Sequence, residues 1–125
     1  MKIIYRMNTQ LNVLQLQELV HSVYLEDVSY SVLKNTMDHS LFTIGAFDGS
    51  TLVGIIRVIG DGHHFILIQD LLVHPSYQTT SIKDDLVKRV LNRYKEVDQI
   101  YMYTQDDTKN KFKSSETKVI KRIEL

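Results

Sequence analysis

The rest of the chain can be placed from Phe65-Ile66-Leu67-Ile68-Gln69-Asp70-Leu71-Leu72-Val73-His74-Pro75-Ser76-Tyr77-Gln78. Its first nine residues are apolar except for Gln69 and Asp70 in the middle. A strand buried on both faces reads as such a run, so helices are expected on both sides of its sheet. Pro75, the only proline in the chain, closes the strand, and Ser76 to Thr80 form a loop. Asp70 stands out, because a carboxylate inside an apolar strand needs a partner or its charge is disfavoured. It is a candidate catalytic base or acceptor-binding group; a bulge or a structural hydrogen bond is the other reading.

Working outward, Leu41 to Phe47 and Thr51 to Ile59 read as strands, joined by Asp48-Gly49-Ser50. Gly60-Asp61-Gly62 then turns the chain into Phe65 to Val73, which completes an antiparallel meander. Upstream, Leu11, Leu14, Leu16, Leu19, Val20 and Val23 recur at mostly helical spacing and predict a helix from about Leu11 to Tyr24. A shorter helix follows from about Ser29 to Asp38, with Ser29 as its cap, and Lys2 to Arg6 is a first strand. Downstream, a helix over Ser81 to Tyr94 leads to a strand over Gln99 to Thr104, which implies a right-handed parallel crossover. Thr104 to Thr117 is polar and patternless, and Val119 to Leu125 is a candidate last strand. The fold class is α/β of the α+β kind: one domain, 1–125, with a mixed, mostly antiparallel sheet.

The bulk properties narrow the function. Of the 125 residues 43% are hydrophobic and 24% charged, which is globular composition rather than disorder. There is no cysteine, so disulfides, thiolate metal sites and cysteine nucleophiles are excluded together. Lys plus Arg equals Asp plus Glu at 15 each, so no overall field steers the protein to nucleic acid. The basic tail, Lys109 to Arg122, reads as a solvated face and edge strand. No stretch approaches the ~20 apolar residues that cross a bilayer, and the N-terminus has too short an apolar run for a signal peptide. A soluble, cytoplasmic domain is expected.

The run Leu52-Val53-Gly54-Ile55-Ile56-Arg57-Val58-Ile59-Gly60-Asp61-Gly62, followed by Ile68 to Gln78, resembles the GNAT family of acyl-CoA-dependent N-acyltransferases. It is similar to small bacterial members in which "LVG" opens one strand and "V-x-P-x-Y-Q" closes the next. The resemblance covers most of the chain in element order, and Leu41 to Leu91 in residue detail. It implies that acetyl-CoA, as co-substrate, lies where the strand ending at Val73 splays from the strand at Gln99. Backbone groups of Leu71, Leu72 and Val73 would pair with the pantetheine arm. The pyrophosphate would sit on Gln78, Thr79, Thr80, Ser81, Ile82 and Lys83, at a helix N-terminus. Tyr77 matches a loop aromatic that packs rather than reacts.

Two departures bear on activity. The family loop reads Q/R-x-x-G-x-G/A, since glycine lets the backbone approach phosphate. Here Gln78 matches, but Ser81 and Lys83 replace the glycines. Ser81-Ile82-Lys83-Asp84 has instead the form of a capping box, with Asp84 closing back on Ser81, and Asp84 and Asp85 would repel a pyrophosphate. A helix that satisfies its own N-terminus is therefore expected, with the phosphate site weakened or lost. The ending departs too. The family's F-Y-x-x-x-G-F-like segment, whose tyrosine protonates the departing thiolate, has at most Phe112 as a remnant. The general acid cannot be carried over to any residue.

Other polar groups carry less. Glu26 and Asp27 lie where family acceptors enter, and equally suit a solvated loop. Tyr101 and Tyr103 alternate along a strand and read as packing. His63 and His64, adjacent on an extended segment, point to opposite faces, so no metal is expected. Two functions follow from the resemblance. One is direct acetyl transfer from acetyl-CoA to a small amine or peptide amino group. The other is a catalytically inactive module kept for binding or assembly, with the pyrophosphate site lost. An exposed last strand makes a homodimer paired at the C-terminal edge an expectation.

Overall fold

The computed structural model describes residues 2–7, 11–104 and 116–122. Six strands form one sheet in chain order: β1 (Ile3–Met7), β2 (Phe42–Asp48), β3 (Thr51–Gly60), β4 (Phe65–Val73), β5 (Gln99–Thr104) and β6 (Glu116–Arg122). Neighbours run antiparallel except β4 and β5, which are parallel and joined by α3 (Ile82–Arg93). The meander, the crossover and the mixed sheet match the sequence reading. β6 begins earlier than expected, because its polar residues still pair with β5: Glu116 stands opposite Thr104 and Thr117 opposite Tyr103. Backbone pairing at a sheet edge tolerates charged and polar side chains, so hydropathy understates the strand.

α1 (Val13–Tyr24) and α2 (Tyr30–Asp38) cover one face of the sheet. Asn12 caps α1, its Oδ1 accepting from the N–H groups of Leu14 at 2.9 Å and Gln15 at 3.3 Å. Ser29 caps α2 through the Val32 N–H, as its sequence position implies. Leu16, Leu19, Val20 and Leu33 pack with Leu52, Ile55 and Leu72. On the other face α3 sets Ile82, Leu86 and Val90 against Phe42, Ile44, Ile56, Ile66, Ile68 and Ile100. Burying side chains of this kind stabilises by roughly 1.5–3 kcal/mol each, which is what holds the crossover down.

Gly60, at φ +131°, makes the β3–β4 turn possible, since a Cβ there would lie 2.4 Å from the Phe65 carbonyl oxygen. Asp61 fixes the same turn by accepting from the N–H groups of His63, His64 and Phe65 at 2.8, 2.8 and 3.0 Å. These three bonds hold its carboxyl down at about 2, the Phe65 bond contributing most. No helix among the described residues is long and apolar enough to cross a membrane.

Candidate active site

β4 and β5 start side by side and then part. Their pairing runs from Phe65↔Gln99 to Ile68↔Met102 and ends there. β4 nevertheless stays paired with β3 as far as Val73, and β5 with β6 as far as Thr104. The separation coincides with a bulge. Arg57 pairs with Asp70 and Val58 with Ile68, so Gln69 is an extra residue in β4. A bulge bends its strand and increases its twist, which turns the end of β4 away from β5.

Beyond the bulge β4 has one side with no paired strand among the described residues. The His74 N–H donates to the Val53 carbonyl at 2.8 Å. Antiparallel alternation then points the amides of Leu72 and Asp70 at β3, and those of Leu71 and Val73 away from it. Gln78 Nε2 donates to the Val73 carbonyl at 2.9 Å, so that side chain is a strut across the loop. The N–H groups of Leu71 and Val73 and the Leu71 carbonyl face the open side.

A 3-10 turn, Pro75–Tyr77, carries the chain from β4 toward α3. The Tyr77 hydroxyl donates to Asp48 Oδ2 at 2.6 Å, which together with desolvation raises its phenol above the ordinary value. Its ring packs on the α3-side core, as the sequence reading has it.

The expected capping box does not form. Ser81, at φ −83° and ψ 5°, lacks the extended backbone of a cap and makes no side-chain cap bond. Its hydroxyl donates instead to Asp85 Oδ2 at 3.0 Å, so the partner is Asp85 and not Asp84. The first helical bond runs from the Asp85 N–H to the Ser81 carbonyl at 2.9 Å. Apart from a long contact of 3.4 Å from the Ile82 N–H to Thr80 Oγ1, the first-turn amides have no acceptor among the described residues. The helix therefore does not satisfy its own N-terminus, which removes self-capping as a ground for a lost anion site and leaves the charges of Asp84 and Asp85 as the other.

The replaced glycines leave the backbone unstrained. Among the described residues only Leu25 combines a side chain with positive φ. Ser81 and Lys83 thus sit in backbone conformations open to any residue, and both side chains are exposed. What seats the helix is Gly54, the glycine of the "LVG" run. A Cβ there would come within 3.1 Å of Ile82 Cγ2 and 3.4 Å of the Leu72 carbonyl oxygen. Of the residues expected at the coenzyme, Leu71 to Val73 and Thr79 to Lys83 converge on one corner, with the Ile82 side chain turned into the core at 1% exposure.

On the opposite face of β4, Asp70 lies beside the same separation. Arg57 Nε donates to Asp70 Oδ2 at 2.6 Å, with the Arg57 side chain 13% exposed and Asp70 33%. Arg57 Nη1 also reaches Ser40 Oγ at 3.4 Å. Tyr24, at the end of α1, has its phenol raised above the ordinary value, first by burial and then by the Asp70 charge. Glu26 and Asp27 are exposed in the loop after α1, and Asp27 Oδ1 meets His21 Nδ1 at 3.1 Å. Tyr101 packs its ring on Phe65, 5.6 Å between centroids. Phe112 lies outside the described residues. Sequence reading missed the Arg57–Asp70 pair, although a signal exists: each residue is a charge in an otherwise apolar hairpin strand.

A splayed parallel pair, an amide-lined helix start and this element order match known proteins. The family model described as Acetyltransferase (GNAT) family matches residues 10–111. The chain belongs to the GNAT acetyltransferase family. A GNAT-family acetyltransferase structure from Streptococcus pneumoniae TIGR4 shares 31% identity with it at a TM-score of 0.74, covering 84% of this chain and 77% of that one. A probable acetyltransferase from Staphylococcus aureus, 20% identical at a TM-score of 0.70, covers 87% of this chain and 85% of its own. The PaiA N-acetyltransferase of Thermoplasma acidophilum, solved in complex with coenzyme A, is 20% identical at a TM-score of 0.67, covering 86% and 82%. The last two likenesses speak for the shared GNAT fold alone. No curated protein matches the chain.

Proposed function

We propose that this GNAT protein transfers an acetyl group from acetyl-CoA to the primary amine of a small molecule or peptide. The observation that carries the reading is the open side of β4 beyond Ile68, set next to a helix start whose amides are uncapped. The N–H groups of Leu71 and Val73 and the Leu71 carbonyl suit the amides of a pantetheine arm. The amides of Thr79, Ser81, Ile82 and Lys83 suit a pyrophosphate, that of Thr80 being given to the Tyr77 carbonyl at 3.1 Å, and the cation of Lys83 adds to them. Related structures with coenzyme A bound, the Thermoplasma enzyme and an aminoglycoside 6'-N-acetyltransferase, support the same co-substrate.

Acetyl-CoA supplies a thioester carbonyl. In the transfer the neutral amine nitrogen forms the new C–N bond, the C–S bond breaks, and the amine's extra proton goes to solvent or to the thiolate. Asp70 is assigned to the acceptor. Its Oδ2 is bound to Arg57, and its other oxygen is assigned to the incoming ammonium, through a charge-assisted hydrogen bond. A carboxylate already paired with a guanidinium is better suited to orienting an amine than to removing its proton. β6, as the outer strand of the sheet, is where a second copy would pair.

Calorimetric titration of the unmodified protein with acetyl-CoA and CoA tests this. Micromolar binding followed by amine-dependent release of free thiol is the expected result. No binding at millimolar ligand sinks the reading. Asp70→Asn should raise the acceptor KM and leave CoA affinity unchanged; equal losses of both would remove Asp70 from the acceptor side.

A further inference from the structure

The first turn of α3 carries two carboxylates, Asp84 and Asp85, in the place where a bound pyrophosphate would be repelled. They are not equivalent. Asp84 is exposed, whereas Asp85 is partly buried against β1. Asp85 Oδ2 accepts from the Tyr5 hydroxyl at 2.9 Å and from Ser81 Oγ at 3.0 Å. Tyr5 belongs to β1, at the far end of the chain, and its ring lies under the Arg89 guanidinium at 4.1 Å. Arg89 stands one turn beyond Asp85 on α3. Two hydroxyl donors therefore tie this carboxylate to β1 and to the residue before the helix, and the bond from Ser81 keeps its hydroxyl out of the capping position.

We propose that Tyr5 is a positioning residue for the coenzyme: its hydroxyl holds the Asp85 carboxylate against β1, away from the first-turn amides, which stay available to a pyrophosphate. The inference rests on the coenzyme reading above. Without the Tyr5 hydroxyl, Asp85 keeps only Ser81 as a side-chain donor and is no longer tied to the sheet. The amides of the first turn are donors without an acceptor among the described residues, and a carboxylate is drawn toward them by their dipole. One anion then competes with another for the same N–H groups.

The test is CoA titration of the wild type, Tyr5→Phe, Asp85→Asn and the double variant, at low and high salt, with Tm measured for each. Tyr5→Phe should weaken CoA binding about fivefold at low salt, the scale of one charge at a helix terminus. The defect should shrink as salt rises. Asp85→Asn on top of Tyr5→Phe should restore wild-type affinity, since a neutral side chain no longer opposes the phosphates. A purely structural Tyr5 would lower Tm without changing affinity, or would give a double variant as weak as Tyr5→Phe; either result overturns the proposal. A folded wild type that does not bind CoA would remove the coenzyme reading and this inference with it. Wild-type binding matched by Tyr5→Phe removes this inference alone.

Discussion

The two halves of β4 have similar sequences and different neighbours. Phe65 to Ile68 is paired on both sides, with β3 and with β5. Asp70 to Val73 is paired with β3 only, although Leu72 and Val73 are as buried as a core requires, at 6% exposure each. The first half commits its backbone to the fold on both sides, and the second leaves its outer edge unpaired among the described residues while its side chains still hold the strand in place. One inserted residue, Gln69, separates the two. An unpaired edge thus need not be a weakly packed one.

The largest effect should come from the doubly paired half. Ile68→Ala empties a fully buried position on the last rung shared with β5 and should cost about 3 kcal/mol in urea unfolding. Leu71→Ala, partly exposed, should cost less than half of that; equal losses would break the comparison. Next comes Gly54→Val, which overpacks the seat of Ile82 and should cost about 1–3 kcal/mol. Its sharper signature is a fall in CoA affinity with β4 and β5 still paired, read by amide exchange of Ile66 and Ile68. Arg57→Gln leaves Asp70 without its guanidinium and should cost about 1–2 kcal/mol. It should raise the acceptor KM more than it weakens CoA.

The smallest effect lies at the turn that starts β4. The Asp61 carboxyl is lowered from an ordinary 3.8 to about 2 in the folded protein. Its stabilisation is therefore complete above the unfolded value and is lost as pH falls from near 3.8 through about 2. Carboxyl titration by NMR should follow that window, and Asp61→Ala should abolish it while leaving CoA affinity unchanged.

The sheet order was legible because local signals agree with one another. Apolar strand runs end at Asp48-Gly49-Ser50 and Gly60-Asp61-Gly62, Pro75 stops β4, and helical spacing begins at Ile82. The site was legible only as a location. The motif placed the loop, and at the two positions where its glycines are replaced Ser81 has an ordinary φ of −83° and neither residue is left-handed. The capping box was misread because Ser81 and Asp84 match a local pattern, whereas Asp85 is bound by a residue 80 positions earlier in the chain. Contacts of that span follow from how β1 and α3 dock, which no window of sequence contains. A bulge beside Asp70 was one reading of the polar break in β4, but its register, with Gln69 as the extra residue, was not legible, since adding one residue to an apolar strand changes register without changing composition.

Gly54 and the His74–Val53 hydrogen bond have one more consequence. The first lets Ile82 seat firmly on the sheet, and the second pins the chain just past Val73. Residues 75–81 therefore form a short span between two fixed abutments, braced midway by Tyr77 on Asp48. A span anchored in this way keeps its arch whatever hangs from it. Side chains can vary on its outer surface, as the exposed Ser81 shows, because the curvature is dictated by the footings rather than by the residues that cross the gap.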